Sequence, residues 1–310
     1  MTIVQLRYIV AVDRHRHFGR AAEACAVSQP TLSMALRKGE EEIGAVLFDR
    51  SRKPIVPTAI GTRIVEQARV ILREHDRLAA IIAEERDEIA GDLAIGVLPT
   101  LAPYLLPIVT TSFAGRYPGV RVTIREMLTD EMLAELAADR IDAGILATPE
   151  SLPGMHYDPL FREEFVAYVS KDHSLAKSRI IDAEQLDPDA IWLLGEGHCF
   201  RRQIVDLCGE PHPDRPEQEV HFTGGNLETL RHMVENGSGL TLLPMLATAY
   251  LSDEQRKRHV RQLGPVVPER TVAMMYGREE LKRRLVDLYA EEIRARVAET
   301  GLTTEVTMPT

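Results

Sequence analysis

The residues with the most distinctive chemistry are two cysteines in the segment EGHCFRRQIVDLCGE (196–210). Cys199 lies between His198 and Arg201, and cationic neighbours favour the thiolate, which is the reactive form of cysteine. A thiolate that attacks a peroxide becomes a sulfenic acid, and a second cysteine such as Cys208 can capture that acid as a disulfide. The pair is therefore a candidate redox switch.

The spacing of this pair restricts how such a switch can operate. If residues 200–207 are helical, nine residues rise about 13.5 Å and turn about 900°, which places the two cysteines on opposite faces. A disulfide needs Cα atoms within about 7 Å of each other. The two sulfurs can therefore bond only if the segment unwinds, and whatever packs against it would respond.

Other interpretations of the cysteines stay open at this point. No CxxC and no clustered metal-ligand spacing accompanies them, so we predict neither a metal site nor a cofactor. Spacing alone favours inert cysteines, because buried free cysteine is common. We assign Cys25 to the core, since it belongs to an apolar helix face.

The N-terminal part of the chain has the pattern of a DNA-binding unit. The spacing predicts helices over 3–12 and 18–24, a third helix capped by Ser28, and a hairpin with a basic tip. Such a helix-turn-helix places the first turns of its second helix against base edges in the major groove, while hairpin cations reach phosphates. The candidate DNA-contacting residues are Gln29, Pro30, Thr31, Ser33, Arg37, Arg50, Arg52 and Lys53. A plain helical bundle with a charged face is the alternative.

Charge and periodicity support the DNA-binding interpretation. Residues 1–73 carry a net charge of +5, whereas the remainder carries −15, and a basic unit on an acidic body indicates a polyanionic partner. Thr58 opens a predicted long helix that runs to about residue 88. Its heptad seam predicts pairing with a second copy of the chain, and the seam consists of Ile64, Ala68, Ile71, His75, Leu78 and Ile82.

From Asp92 onward, short apolar strands alternate with helices, which predicts a parallel α/β fold with two lobes and a cleft. The predicted strands cover 93–98, 120–126, 143–147, 165–170, 191–195 and 239–244, and the predicted helices cover 103–115, 129–138, 226–236 and 279–298. The 310 residues contain no uncharged apolar stretch of about 18 residues, so we predict no membrane span. The first residues lack the features of a signal peptide, and we expect a cytoplasmic protein.

The order AAEACAVSQPTLSMALRKGEEEIGAVLFDR, followed by PTAIG and a long helix, closely resembles LysR-type transcriptional regulators. The resemblance implies a multidomain chain: an all-α, winged helix-turn-helix domain (1–57), a linker helix that dimerises (58–90), and an α/β effector domain (91–310). It implies that the effector domain resembles type 2 periplasmic binding proteins, with one lobe over about 91–164 and 266–300 and the other over about 165–265. Members are commonly tetramers. Gly39 departs from the family's usual leucine, and a mid-helix glycine costs roughly 1 kcal/mol, so we expect a less rigid DNA-binding unit.

Three segments resemble the hydrogen-peroxide-sensing OxyR subfamily of these regulators: GHCFRRQIVDLC, VLPTLAPYLLP and NLETLRHMVENGSGLTLLP. The resemblance implies that Cys199 is oxidised to a sulfenic acid and that Cys208 then forms a disulfide with it. It also implies a peroxide pocket formed by Thr100, Thr129, His198, Arg201 and His221. From the residues alone, Thr129 could instead be a helix N-cap and His221 a structural histidine. Arg202 replaces the subfamily's usual aspartate, and a second arginine beside Cys199 should favour the thiolate.

These features together predict a regulator that binds promoter DNA, senses hydrogen peroxide, forms a homodimer or homotetramer, and acts with RNA polymerase. We expect oxidation to repack effector domains and to change which half-site spacing the DNA-binding units contact. The alternative within the same scaffold is a regulator that binds a small organic effector in the cleft, with inert cysteines. An enzyme such as a thiol peroxidase fits least, because it gains nothing from residues 1–88.

Overall fold

The chain forms two compact units, Met1–Glu88 and Ile89–Thr310. The computed structural model describes residues 1–85, 89–147, 152–210, 224–237, 239–265, 267–277 and 282–304. The long helix that we predict as a linker belongs to the first unit. The predicted domain boundaries at residues 57 and 90, and the lobe boundaries within the second unit, stay predictions.

The first unit has the predicted arrangement of three helices, a hairpin and a long helix. Its elements are α1 (Ile3–His15), α2 (Phe18–Ala24), α3 (Gln29–Ile43), β1 (Phe48–Asp49), β2 (Val56–Pro57) and α4 (Ala59–Glu85). The predicted cap of α3 is confirmed, because the side chain of Ser28 accepts a hydrogen bond from the backbone N–H of Thr31 at 3.3 Å. The helix ends at Gly44, whose φ of 69° is a conformation that glycine adopts without strain.

The predicted seam of α4 is divided between two environments. Ala68 is buried in the core of the first unit, and Ile64 packs against the same core. Further along, Ile71 is 40% exposed and Leu78 is 61% exposed. The pairing of α4 with a second copy stays a prediction, whereas the first turns of the predicted seam pack within their own unit.

Replacement of Gly39 by alanine should stabilise the first unit by about 0.5–1 kcal/mol, because alanine has the higher helix propensity. Gly39 is buried within α3, and an added Cβ would lie 3.7 Å from Nε2 of Gln5, an ordinary van der Waals distance. The measurement is the unfolding transition of the full chain by differential scanning calorimetry. Gly61→Ala is the contrasting variant: its Cβ would overlap the carbonyl oxygen of Leu47, so we expect marked destabilisation. A destabilised Gly39→Ala variant would contradict this prediction.

The second unit is built on a mixed sheet that has eight strands in the described part of the chain, with helices packed against it. Its strands are β3 (Gly91–Val97), β4 (Val120–Glu126), β5 (Ala143–Ala147), β6 (Met155–Val169), β7 (Ile180–Asp182), β8 (Leu240–Pro244), β9 (Val260–Gly264) and β10 (Glu269–Gly277). Its helices are α5 (Ala102–Arg116), α6 (Thr129–Ala137), α7 (Cys199–Cys208), α8 (Leu227–Asn236), α9 (Asp253–His259) and α10 (Arg283–Ala298).

The prediction of a parallel sheet is only partly correct. Strand β3 pairs in parallel with β4 and β5, but β10 runs antiparallel to both β5 and β6. The sequence pattern missed β10, β9 and β7, and β10 occupies the centre of the strand order β4-β3-β5-β10-β6-β9-β7. A late segment of the chain therefore lies at the middle of the sheet, which local periodicity does not reveal.

The predicted strand over 191–195 is wrong. In this segment Ile191 makes one isolated bridge to Leu240, and the following residues lead toward α7 without forming a ladder. Leu194 is nevertheless buried in the core, which explains the strand-like apolar pattern. None of the helices in the described ranges combines the length and apolar composition that crossing a bilayer requires.

Candidate functional site

Helix α7 contains both candidate redox cysteines, Cys199 as its first residue and Cys208 as its last. The helix that the spacing argument assumes is therefore confirmed. Nine helical steps separate the two residues by about 13.5 Å along the axis and place them on opposite faces. Both thiols are free and half-buried. In this conformation the sulfurs cannot form a disulfide.

The start of α7 places Cys199 where backbone donors can reach its sulfur. Gly197 lies two residues before the helix and has a φ of +86°, a conformation that favours glycine. The first N–H groups of a helix have no partner within it, and the N–H groups of Cys199 and Phe200 lower the pKa of the Cys199 thiol through hydrogen bonding. The helix N-terminus thus favours the thiolate form of this cysteine.

A cavity of 560 Å³ lies beside Cys199 and brings together several of the predicted pocket residues: Thr129, His198 and Arg201 line it together with Cys199. Arg202 also lines it, and apolar side chains such as Leu133, Leu146 and Met275 form part of its wall. The interpretation of Thr129 as an N-cap is wrong, because Leu128 occupies the N-cap position of α6 and Thr129 is its first helical residue.

The other predicted site residues lie elsewhere. Thr100 is buried outside this cavity, where its hydroxyl and carbonyl oxygens accept hydrogen bonds from Arg270 at 3.3 and 3.4 Å. Cys208 also lies outside the cavity, and its thiol donates to the carbonyl oxygen of Ile204 at 3.1 Å. His221 falls outside the described residues, so its predicted role stays a prediction.

Arg270 is the site residue that the sequence analysis missed. It is 1% exposed, and its guanidinium donates to Oε1 of Glu163 from Nε at 2.9 Å and from Nη2 at 2.7 Å. The two residues are direct partners in the antiparallel pairing of β6 and β10. Glu163 is also fully buried, and its Oε2 accepts the backbone N–H of Leu246 at 2.9 Å. The sequence signal that could have revealed it is the pair of charged residues, Glu269 and Arg270, at the start of the otherwise apolar strand β10.

Burial raises the pKa of the Cys199 thiol above its ordinary value, and the positive charges of Arg270 and Arg202 act in the opposite direction. The expectation for Arg202 is thus confirmed in sign. The expectation for His198 is wrong, because burial lowers the pKa of its imidazole and favours the neutral ring. Arg201 donates from Nη1 to the carbonyl oxygen of Leu194 at 3.1 Å. Because burial holds the pKa of Cys199 above its ordinary value, we expect the thiol form to predominate at neutral pH.

The rate at which Cys199 is oxidised by peroxide should therefore rise about tenfold per pH unit between pH 6 and 8. The reason is that the thiolate fraction grows tenfold per unit below the thiol pKa, and the thiolate is the nucleophile. Peptide-resolved mass spectrometry after short peroxide pulses measures this rate. A rate that is constant over that pH range would contradict a raised pKa and show that Cys199 is already a thiolate at pH 6.

The predicted DNA-contacting residues differ in how free their side chains are. Gln29, Pro30 and Thr31 are exposed at the start of α3, Ser33 is half-buried, and Arg37 is exposed one turn later. Lys53 is exposed on the hairpin, and Arg52 is exposed there with its Nε paired to Asp49 at 3.3 Å.

Arg50 is held within the first unit. Its guanidinium forms an ion pair with the buried Glu40 at 2.6 Å and lies 5.3 Å from the ring centre of Phe18. Its contact with DNA stays a prediction. The described residues contain no group of three or more histidine, cysteine, aspartate or glutamate side chains placed to hold a metal ion.

Comparison with known proteins identifies the class. The family model "Bacterial regulatory helix-turn-helix protein, lysR family" matches residues 3–62, and "LysR substrate binding domain" matches residues 86–298. The chain therefore belongs to the LysR family of transcriptional regulators, with an N-terminal helix-turn-helix domain and a two-lobed α/β domain.

Within that family the chain is similar to peroxide regulators. It is 36% identical over 299 residues to the DNA-binding transcriptional dual regulator OxyR of Escherichia coli K12, and the match covers 96% of each chain. It is 35% identical over 276 residues to the hydrogen peroxide-inducible genes activator of Haemophilus influenzae, covering 89% of this chain and 90% of the relative. A full-length OxyR variant of Pseudomonas aeruginosa matches with a TM-score of 0.81 at 33% identity, covering 99% of each chain.

Proposed function

We propose that this protein is a DNA-binding transcriptional regulator that responds to hydrogen peroxide through Cys199. The observation that carries the proposal is the position of Cys199: at the N-terminus of α7, on the wall of a cavity shared with Thr129 and His198, and within the field of Arg270. The names of the similar proteins from Escherichia coli and Haemophilus influenzae support it.

The chemistry of the proposed response has two steps. The Cys199 thiolate attacks one oxygen of hydrogen peroxide, an S–O bond forms as the O–O bond breaks, and the departing hydroxide takes a proton to become water. The thiolate of Cys208 then attacks the sulfenic sulfur, an S–S bond forms, and the sulfenic oxygen leaves as water after protonation. Overall, two thiols are oxidised and one peroxide is reduced to two waters.

The surrounding residues have roles that follow from their positions. Arg270 stabilises negative charge on the Cys199 sulfur, and the N–H groups at the start of α7 add to that stabilisation. Thr129 and His198 provide polar groups on the cavity wall that can hydrogen-bond a peroxide. Thr100 affects Cys199 indirectly, because its hydroxyl accepts a hydrogen bond from the guanidinium of Arg270.

The partners in this proposal are promoter DNA, a second copy of the chain and, in the assembled regulator, a tetramer and RNA polymerase, all within the cytoplasm. The exposed residues at the start of α3 contact base edges, and Arg52 and Lys53 contact phosphate. The exposed apolar side chains of α4 provide the contact between copies. Disulfide formation at α7 changes the effector domains and thereby the spacing of the DNA-binding units.

The test is DNase I footprinting of a target promoter with reduced and peroxide-treated protein. We expect the two forms of the wild type to protect different half-site spacings, and Cys199→Ser to keep the reduced footprint after peroxide treatment. Cys25→Ser is the matched control, since Cys25 packs against the core of the first unit, and it should behave like the wild type. Identical footprints for the reduced and oxidised wild type would overturn the proposal.

The volume of the cavity favours one alternative. At 560 Å³ the space beside Cys199 lies in the range of about 300–1,000 Å³ that is common for small-molecule sites. A regulator that binds an organic effector there would respond with inert cysteines. A thermal-shift screen of small organic molecules against Cys199→Ser separates the two, because only effector binding raises the unfolding temperature of that variant.

A further inference from the structure

Phe200 follows Cys199 in α7, and its side chain is fully buried. Its ring packs edge-on against the ring of Phe165, with the ring centres 4.9 Å apart. The Phe200 ring also contacts Arg270, whose guanidinium carbon lies 5.2 Å from the centre of the ring. The residue beside the reactive cysteine is thus in direct contact with the buried arginine.

The contacts of Arg270 divide into two kinds. Oxygens of Glu163 and Thr100 accept the N–H groups at the edges of the guanidinium. The Phe200 ring provides an aromatic surface, to which a cation is attracted electrostatically, and this attraction is larger for desolvated pairs. The hydrogen bonds to Glu163 and Thr100 orient the guanidinium. The contact with the Phe200 ring joins the guanidinium to α7, the helix that bears Cys199.

We propose that Phe200 is a positioning residue for the oxidation of Cys199: its ring helps to hold the guanidinium of Arg270 against the first turn of α7, the turn that begins with Cys199. The inference rests on the proposed function in one respect, namely that the reaction being assisted is attack on a peroxide. The cation on which it acts is the first among the charges that favour the Cys199 thiolate. Because Phe200 and Cys199 are consecutive on α7, the residue that contacts the guanidinium is the direct neighbour of the residue whose thiolate the cation favours.

A purely structural role for Phe200 makes a different prediction. A ring that only fills the core would change stability when replaced, but it would leave the charge on Cys199 unaffected. The dependence of Cys199 reactivity on pH therefore distinguishes the two roles, since it follows the thiolate fraction and not the stability of the fold.

The experiment compares Phe200→Leu and Phe200→Met with the wild type. Both variants keep an apolar side chain and remove the aromatic surface, and the methionine variant serves if the leucine variant does not fold. Phe113→Leu is the matched control, because Phe113 is equally buried in the same unit and its aromatic contacts are with Tyr117 and Tyr289. Circular dichroism checks that each variant is folded.

Two reactions of Cys199 are followed by peptide-resolved mass spectrometry across a pH series: oxidation by hydrogen peroxide and alkylation by iodoacetamide. We expect either Phe200 variant to react about three- to tenfold more slowly at pH 7 in both reactions, with its pH profile moved upward, because the thiolate fraction falls. Phe113→Leu should leave both profiles unchanged.

Each outcome bears on the proposal. Unchanged pH profiles in the folded Phe200 variants, or an equal shift in Phe113→Leu, would overturn the positioning role. If the wild type is alkylated at Cys199 but not oxidised by peroxide, the proposed function fails, and the alkylation profiles still decide whether Phe200 positions Arg270.

Discussion

Replacing Arg270 by methionine should slow the oxidation of Cys199 at neutral pH by at least about tenfold, because the cation that most favours the thiolate is lost. It should also destabilise the second unit by about 3–5 kcal/mol, since removal of one member of a buried ion pair leaves the other charge uncompensated. Here that charge is Glu163, whose side chain is completely buried. Peroxide competition kinetics and denaturant unfolding measure the two effects.

A double variant separates the two consequences of losing Arg270. Glu163→Gln combined with Arg270→Met removes both charges while an amide oxygen remains to accept the N–H of Leu246. We expect the double variant to recover much of the lost stability and none of the lost reactivity. If the rate recovered along with the stability, the effect of Arg270 on Cys199 would be structural, and its electrostatic role would be excluded.

The second large effect concerns α7 itself. In the oxidised wild type, the amide hydrogens of residues 203–208 should exchange with solvent on the order of 100-fold faster than in the reduced form. A 100-fold change corresponds to about 2.8 kcal/mol of lost protection. The cause is geometric, because a disulfide holds Cα atoms within about 7 Å, whereas the intact helix separates Cys199 and Cys208 by about 13.5 Å.

Unwinding α7 also disturbs the core beneath it. Phe200 and Ile204 are the buried residues of the helix, and exposing such side chains costs about 1.5–3 kcal/mol each. Cys208→Ser is the control for hydrogen exchange, because its Cys199 can be oxidised without forming this disulfide and α7 should stay protected. A wild-type disulfide, proven by mass spectrometry, with unchanged protection over 203–208 would contradict the unwinding.

Several features were predictable from the sequence because they depend on neighbouring residues. The Ser28 cap and the order of helices in the first unit follow from local spacing, whereas the helix between the two cysteines was assumed in the spacing argument and is shown by the structure. The same local pattern misled at residues 191–195, where burial of an apolar segment resembles a strand although no ladder forms. A buried irregular segment and a buried strand have similar sequence patterns, since both select apolar residues.

The motif residues of the site were recognisable, but their environment was not. Cys199, Thr129 and His198 were found in the sequence, and the structure brings them to one cavity. Their charge states were misjudged, because His198 has a lowered pKa and Cys199 a raised one. Desolvation is the cause in both cases, and the extent of desolvation depends on everything packed around a group.

The sequence by itself thus determined the class of protein, the positions of the two cysteines and the chemistry open to them. Only the tertiary structure decided what acts on Cys199. Arg270 acts electrostatically on Cys199 because β10 inserts antiparallel between β5 and β6, which places Arg270 opposite Glu163 and against Phe200. Pairing between strands so distant in the chain depends on the whole packed sheet, and neither periodicity nor capping encodes it locally.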